Sequence, residues 1–292
     1  MMTKVALGLF AALPLWLIHA LGIVLGELVL CLSSGFSSKL RANLADSGVA
    51  ADAAGLRRLI RRNAHETGKG ALELLVAWGR NPAGVARLIR ACDGWQHVEA
   101  ALAAKRGLLF VTPHLGAYDI AGRYLSSRLP FPLTAMYRPP KLKWLEPLMN
   151  AGRARGNGKT APATAQGVRQ LFKTLRSGEA VVILPDQAPG EGGGVWAPFF
   201  GKPAYTMTLP ARMAESTGAA VLFFYGERLP FGRGYKVHIR PLQGAFSGAP
   251  QHDAELLNRN VEALIRECPA QYLWSYNRYK VPAGVARPEA GA

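Results

Sequence analysis

The stretch "GLLFVTPHLGAYDIAG", Gly107 to Gly122, decides the fold. Its apolar, β-forming run ends at Pro113, and a segment with helical spacing begins within the next few residues. Further runs of strand length are "LTAMYR", "AVVILP", "AVLFFYGERL" and "YKVHIRPL". Helical segments lie between these runs. Strands that alternate with helices predict an α/β domain, with a mostly parallel mixed sheet covered by helices.

The predicted helices are typical covering elements of such a sheet. Gly178 and Gly218 stand just past the last periodic residue of two of them, where a helix commonly stops. The segments are "DIAGRYLSSRL", "LKWLEPLMNAGRARG", "AQGVRQLFKTLRSG", "TLPARMAESTG" and "DAELLNRNVEALIREC". No Pro/Gly-rich linker divides the region. We therefore predict one α/β domain over residues 36–282, followed by a flexible tail over 283–292.

The N-terminus is a hydrophobic segment, which we predict to be a membrane anchor over residues 1–35. From Val5 to Leu32 only His19 and Glu27 are ionisable, and about 20 apolar residues suffice to cross a bilayer. The run is too long for the apolar core of a cleaved signal peptide. A spanning helix and a helix lying in the interface both remain open, because Pro14 and the two ionisable residues weaken the first reading and Trp16 suits the second.

The bulk composition indicates a globular protein with a strongly positive field. The 292 residues are 49% hydrophobic and carry 35 Lys and Arg against 19 Asp and Glu, a net charge of +16. Such a charge favours polyanionic partners, whether nucleic acid, anionic lipid or an acidic protein. The 3 cysteines form neither a disulfide framework nor a zinc pattern. Their spacing favours a reducing compartment.

His114 and Asp119 are the candidate catalytic residues. His114 follows the strand at its C-terminal end, where open α/β sheets bind ligands. Asp119, in the first turns of the next helix, could reach one ring nitrogen and fix the tautomer, leaving the other to act as a general base on a bound hydroxyl. No Ser or Cys nucleophile lies in the stretch. A turn histidine beside a helix-start aspartate would give the same pattern, so this alternative stays open.

Basic residues after the second strand are candidate substrate-binding groups. "YRPPK" contains Arg138 and "NAGRARGNGK" contains Arg153, and guanidinium groups suit phosphate. The alternative is the basic outer face of a helix and a loop. Asp186 ends another strand in "VVILPDQAPGEGGG", whose Gly-rich loop lacks the pattern of a phosphate-binding P-loop.

Taken in order, these segments resemble the late acyltransferases of lipid A biosynthesis, the lauroyl and myristoyl transferase family of Gram-negative bacteria. The matching pieces are the N-terminal anchor, "HLGAYD" as the H-x4-(D/E) box, "MYRP", "GRARG", "LPDQ", "APFFGKPAYT", "ARMAESTGAAV" and "PAQYLWSYNRYK". They cover nearly the whole chain. Each piece is short, but the ordered set is specific.

The resemblance implies a glycerolipid-acyltransferase-like fold and an enzyme of the bacterial inner membrane whose catalytic domain faces the cytoplasm. It would transfer a fatty acyl chain from acyl carrier protein to a hydroxyl of a phosphorylated lipid A precursor, without a covalent acyl-enzyme. His114 would be the base and Asp119 its orienting carboxylate, while Arg153 and Asp186 match further conserved blocks of the family. It implies neither a cofactor nor a metal.

Two alternatives remain. The first is an acyltransferase of the same fold that uses another acceptor, namely a glycolipid, an aminolipid or a lysophospholipid, because Asp119 stands where many lipid A enzymes have Glu. The second is a non-catalytic membrane protein that binds anionic lipid or nucleic acid. The chain has no helix-turn-helix signature, zinc spacing or RNP-like strand, and we expect no nucleic-acid partner.

Overall fold

A seven-stranded mixed sheet forms the centre of the protein, as the computed structural model describes it for residues 2–137 and 157–286. Its strands lie in the order β1-β9-β8-β2-β5-β3-β4, and β6 pairs with β7 in a separate hairpin. The bounds are β1 Ile89–Asp93, β2 Leu108–Val111, β3 Leu133–Tyr137, β4 Gly158–Pro162, β5 Ala180–Ile183, β6 Gly194–Phe199, β7 Lys202–Met207, β8 Ala220–Arg228 and β9 Tyr235–Pro241.

Parallel pairing dominates this sheet. β2 is parallel to both β5 and β8, β3 is parallel to β4 and β5, and β8 and β9 are antiparallel neighbours. β2 and β5 lie at the centre and every residue of both is buried. Their continuous apolar runs are typical of strands covered on both faces. The predicted fold class is confirmed.

Helices cover both faces. Along β2, Leu109 and Val111 pack into the core beneath the later helices, whereas Leu108 and Phe110 pack into the opposite core. The helices are α1 Met2–Ala12, α2 Leu15–Leu32, α3 Ser34–Asp46, α4 Ala53–Gly79, α5 Pro82–Ala86, α6 Trp95–Ala103, α7 Tyr118–Arg128, α8 Ala165–Arg176, α9 Leu209–Thr217 and α10 Pro250–Glu267. Short 3-10 turns lie at Pro230–Gly232 and Pro269–Gln271.

The N-terminal run forms two helices, α1 and α2, which are separated at Pro14. α2 runs antiparallel to α4 at very close range, because Gly22 lies against Lys69 and Gly26 against Ala64, and a Cβ at either glycine would meet backbone atoms. Among the described residues, α2 is the one helix long and apolar enough to cross a membrane. The predicted division into anchor, domain and tail stays a prediction.

Candidate active site

His114 lies in the short loop between β2 and α7, at the C-terminal end of the sheet. Gly116 gives this loop its shape. Its φ is +60°, and a Cβ there would meet the carbonyl oxygen of Gly226 on β8. The amide of Ala117 donates to that same carbonyl at 2.8 Å. β8 therefore holds the loop from one side.

The C-terminal segment holds the loop from the other side. The amide of Gly116 donates to the carbonyl of Gln271 at 3.0 Å, and that of Leu273 donates to the carbonyl of His114 at 3.0 Å. The side-chain amide of Asn63, on α4, in turn donates to the carbonyl of Tyr272 at 2.6 Å. This gives "PAQYLWSYNRYK" a physical role, because its first residues fix the backbone beside His114.

The carboxylate that hydrogen-bonds the His114 imidazole belongs to Asp186. Asp186 Oδ1 lies 2.8 Å from His114 Nδ1, and Oδ2 accepts from the backbone amide of His114 at 2.9 Å. Asp186 follows β5, the parallel neighbour of β2, so the two strand ends bring these residues together. The structure thus differs from the pairing expected from the sequence, in which Asp119 reaches this nitrogen.

The surroundings of Asp186 keep it ionised. Burial alone would raise the pKa of its carboxyl, but the charge of His114 and the hydrogen bonds from His114, followed by the charge of Arg278, outweigh burial and lower it. The buried side chain of Tyr272 also lies beside Asp186, whose negative charge adds to burial in raising the pKa of the Tyr272 hydroxyl. An ionised carboxylate at Nδ1 favours the tautomer with its proton on Nδ1. Nε2 of His114 then carries the lone pair, and the side-chain nitrogen Nε2 of Gln187 lies 3.4 Å from it.

Asp119 lies in the first turn of α7 and faces the same cavity as His114. Its Oδ2 accepts a hydrogen bond from the indole Nε1 of Trp78 at 2.8 Å. Trp78 belongs to the last turn of α4, and Arg123 of α7 donates to the carbonyl of Ala77 in the same turn. The end of α4 thereby fixes the position of the Asp119 carboxylate.

Two cavities meet at Tyr118 and Asp119. The first, of about 230 Å³, is lined by His114, Asp119 and the charged side chains of Glu66, Glu73 and Arg228. The second, of about 70 Å³, is narrower and mainly apolar. Its lining includes Gly122, Leu133, Ala135, Met136, Val182, Leu184 and Phe224. The cavity that contains the candidate base thus adjoins a smaller apolar slot.

A buried ionic network forms the far wall of the larger cavity. Arg228 makes hydrogen bonds of 2.6 Å to both carboxylate oxygens of Glu73, and its Nη1 donates to Glu66 at 2.8 Å. Glu73 also accepts from Tyr235, and its Oε1 lies 2.7 Å from His19 Nε2 on α2. Burial alone would raise the pKa of Glu73, but the charge of Arg228 and the hydrogen bonds outweigh it and hold the pKa at about 2.

The backbone amides of the loop between β2 and α7 already donate hydrogen bonds inside the protein. They are therefore not available to stabilise a negatively charged oxygen of a reaction intermediate. Those of His114, Leu115, Gly116 and Ala117 all donate to protein oxygens. The first turn of α7 carries the next amides in sequence, and the first amides of a helix have no partner within that helix. Within residues 2–137 and 157–286, no three His, Cys, Asp or Glu side chains are grouped as a metal site requires.

Of the predicted site residues, His114, Asp119 and Asp186 meet at this end of the sheet. Arg138 and Arg153 lie outside the described residues. Three further residues of the site were not predicted from the sequence, namely Trp78, Glu73 and Arg228. A usable signal existed for the last two, because a charged residue interrupts the apolar run in "ALELLVAW" and in "AVLFFYGERL". A buried charge at such a position requires a partner.

Comparisons with known proteins show the family of the chain. Residues 2–281 match the family described as bacterial lipid A biosynthesis acyltransferase. The chain is 29% identical to the lipid A biosynthesis lauroyltransferase of Escherichia coli strain K12, over 96% of this chain and 90% of that protein. It is 28% identical to the palmitoleoyltransferase of the same organism, over 78% and 73%. It is 30% identical to a phosphatidylinositol mannoside acyltransferase of Mycobacterium tuberculosis, over 56% and 51%.

Proposed function

The chain belongs to the bacterial lipid A biosynthesis acyltransferase family and is an acyltransferase, and we propose that it moves a fatty acyl chain from acyl carrier protein to a hydroxyl of a phosphorylated lipid A precursor. The observation that carries the chemistry is the hydrogen bond between Asp186 and His114 Nδ1 beside the cavity that His114 and Asp119 line. It leaves Nε2 as the basic nitrogen.

In the proposed reaction, His114 Nε2 takes the proton of the acceptor hydroxyl while the hydroxyl oxygen attacks the thioester carbonyl of the donor. The resulting tetrahedral intermediate expels the thiolate, so that the C–S bond breaks and a C–O ester bond remains. The imidazolium returns its proton to the thiolate. Every atom is accounted for without a covalent acyl-enzyme.

The two carboxylates have different proposed roles. Asp186 orients the imidazole and stabilises its protonated form during the transfer, which its two hydrogen bonds to His114 support. Asp119, held by Trp78 at the junction of the two cavities, positions the acceptor beside Nε2. The apolar slot holds the far end of the acyl chain. Arg138 and Arg153 stay candidates for binding the phosphates of the acceptor.

Charge supports the proposed substrates. Acyl carrier protein is acidic and lipid A precursors carry phosphate, so a net charge of +16 attracts both. We expect transfer from acyl carrier protein to be faster than from acyl-coenzyme A, and its kcat/KM to fall as salt rises from 50 to 500 mM.

We place the enzyme at the bacterial inner membrane, with its catalytic domain facing the cytoplasm.

A second acceptor class has specific support. The mannoside acyltransferase relative is named for a glycolipid acceptor. In addition, the H-x4-(D/E) box accepts either Asp or Glu, and this chain has the shorter acid, Asp119. Mass spectrometry of membrane lipids from cells with and without the protein separates the two. Loss of one acyl chain from lipid A is the expected result, whereas a loss confined to another lipid contradicts the lipid A assignment.

The role of His114 is tested by measuring the rate of acyl transfer with the purified protein. His114→Ala should lower transfer by roughly 10²–10⁴-fold if it is the base. The matched control is His97→Ala, since His97 lies on α6 beside a different cavity. Normal transfer by a folded His114→Ala protein contradicts the mechanism and leaves the family assignment intact.

A further inference from the structure

The outer face of α2 is apolar and exposed to solvent. Leu15, Ile18, Gly22 and Gly26 lie on the buried side, against the rest of the protein. Trp16 is 60% exposed, Val24 57% and Leu32 81%. A continuous apolar face of this kind requires cover, and by length and composition α2 is apolar enough to enter a membrane.

The neighbour of α2 excludes a spanning orientation. α4 runs antiparallel to it, and Arg61 and His65 of α4 bind Glu27 of α2. α2 is about 27 Å long, so if it crossed the bilayer along its axis, this part of α4 would lie in hydrocarbon beside it. That part includes Arg62 and Lys69, and charged groups at this depth are costly.

A second exposed apolar group lies next to α2. Phe231, in the turn between β8 and β9, is 90% exposed and has a φ of +58°, a backbone conformation that few residues other than glycine adopt. The following Gly232 is in close contact with the backbone of Trp16. The turn is therefore fixed against α2 while its aromatic ring points into solvent.

We propose that α2 lies in the plane of the membrane and that its outer face, together with Trp16 and Phe231, forms one surface that inserts into the headgroup boundary of a bilayer containing anionic phospholipid. Arg57, Arg58, Arg61 and Arg62 are exposed along α4 beside this surface. An apolar face flanked by basic residues is typical of interfacial helices, which insert ~5–10 Å.

The surface also borders a groove that shares a wall with the active-site cavity. A groove of about 680 Å³ is lined by Trp16, Ile23, Phe231, Arg62 and Lys69 at this surface. Its inner lining includes Glu66, Arg228 and Gln271, which also line the cavity that contains His114. In the in-plane orientation, the groove brings the bilayer surface to the outer side of the wall that Glu66, Arg228 and Gln271 form between the groove and the cavity of His114.

Probe depth along α2 tests the orientation. Ala20, Val24 and Cys31 lie on one face of the helix, and the outer two are about 16 Å apart along the axis. Three variants of the full-length protein are prepared, each with one cysteine, at position 20, 24 or 31, and with the other native cysteines changed to serine. A fluorophore is attached to the single cysteine of each variant. The vesicles contain phosphatidylethanolamine and phosphatidylglycerol, with nitroxide quenchers at several acyl depths. We expect all three probes to report the same shallow depth. A deep probe at position 24 with a much shallower one at position 31 overturns the proposal.

The turn is tested in the same vesicles. Phe231→Cys, labelled in the same way, should be quenched by shallow lipid nitroxides. The matched control is Ala245→Cys, because Ala245 is exposed and lies beyond the opposite end of β9. A water-exposed probe at position 231, or equal quenching at both positions, overturns the role of the turn. These readouts use no catalysis, so their failure does not bear on the proposed acyl transfer.

Discussion

At the scale of the residue, the imidazole of His114 is held by groups from three separate parts of the chain. Asp186 binds Nδ1, and Tyr118 packs its ring edge-on against the imidazole with centroids 5.1 Å apart. The carbonyl of His114 accepts from the amide of Leu273. A side chain fixed in this way needs little rearrangement to reach a reactive geometry, which favours proton transfer.

Because Asp186 pairs with His114, we expect Asp186→Asn to slow catalysis while leaving the fold nearly unchanged. Asparagine can still accept the backbone amide of His114 but no longer carries the charge that favours the required tautomer. We expect kcat to fall by roughly 10²–10⁴-fold while KM changes little. Steady-state transfer kinetics measure both constants, and circular dichroism checks the fold.

Asp119→Asn is the matched comparison. Its amide oxygen can still accept from Trp78 Nε1, so the site keeps its shape. If Asp119 positions the acceptor, this variant raises KM as well as lowering kcat. The opposite result, with near-normal Asp186→Asn and a pure kcat defect in Asp119→Asn, would restore the pairing expected from the sequence.

The sequence was sufficient to select His114, Asp119 and Asp186 as candidates, which the structure brings together, but not to predict their hydrogen bonds. His114 and Asp186 each lie three residues beyond the register pair Val111 and Ile183 of β2 and β5. His114 and Asp186 are neighbours because β2 and β5 are neighbours in the sheet, and the order of strands in a sheet cannot be read from a single sequence. Trp78 was missed for a similar reason, since it reaches Asp119 from an element 41 residues away.

Gly122 offers a test of the apolar slot. It lies on α7 in the lining of the smaller cavity, and a Cβ there would meet only Phe224, at 4.0 Å. Gly122→Leu should fill the slot and shift the preferred acyl chain shorter by roughly the four carbons that the leucine side chain adds. Competition between donors of different chain length measures the shift.

Gly35→Leu is the control for this substitution, because a Cβ at Gly35 has no heavy atom within 4 Å. Its chain-length preference should match that of the unmodified protein. An active Gly122→Leu enzyme with an unchanged preference would place the acyl chain elsewhere.

At the scale of the element, the central strands were predictable and the edge strands were not. β2, β5 and β8 are apolar runs, as burial on both faces requires. β1 is "IRACD" and β4 is "GKTAP", two short, polar edge strands without a periodic signal. The hairpin of β6 and β7 contains Pro198 and Pro203, which oppose each other across the turn and weaken a strand prediction.

The contact between α2 and α4 depends on glycine. A Cβ at Gly26 would lie 2.1 Å from the carbonyl oxygen of Ala64, so Gly26→Ala must push the helices apart. We expect a loss of about 1–3 kcal/mol in the free energy of unfolding, measured by thermal denaturation in mild detergent. Gly35→Ala on α3 is the matched control and should stay within about 0.5 kcal/mol of the unmodified protein. Equal stability of the two variants would contradict close packing of α2.

At the scale of the whole molecule, one ionic network joins α2 to the central sheet. His19 comes from α2, Glu66 and Glu73 from α4, Arg228 from β8 and Tyr235 from β9. Glu66 and Arg228 line the cavities on both sides of this network. The network therefore fixes the proposed membrane surface relative to His114, which a lipid-modifying enzyme needs if its acceptor stays in the bilayer.

This network predicts how stability depends on pH. The pKa of Glu73 is lowered to about 2 in the folded protein from an ordinary value of 4.5. Its contribution is therefore complete above pH 4.5 and is lost as the pH falls toward 2, when the folded protein must take up the proton. The shift corresponds to about 3 kcal/mol. Glu73→Gln should be strongly destabilised at pH 7, because Arg228 is left buried without its partner charge.

The stability difference between Glu73→Gln and the unmodified protein should therefore shrink between pH 4.5 and pH 2, as acid removes the same charge from both. Thermal unfolding in detergent from pH 7 to pH 2.5 measures this convergence. Subtracting the two curves removes the contributions of other carboxyl groups, such as Asp186, that both proteins share. Glu215→Gln, at an exposed carboxyl on α9, is the control and should parallel the unmodified protein throughout. A Glu73→Gln difference that stays constant down to pH 2.5 would mean that Glu73 is not held as a buried carboxylate.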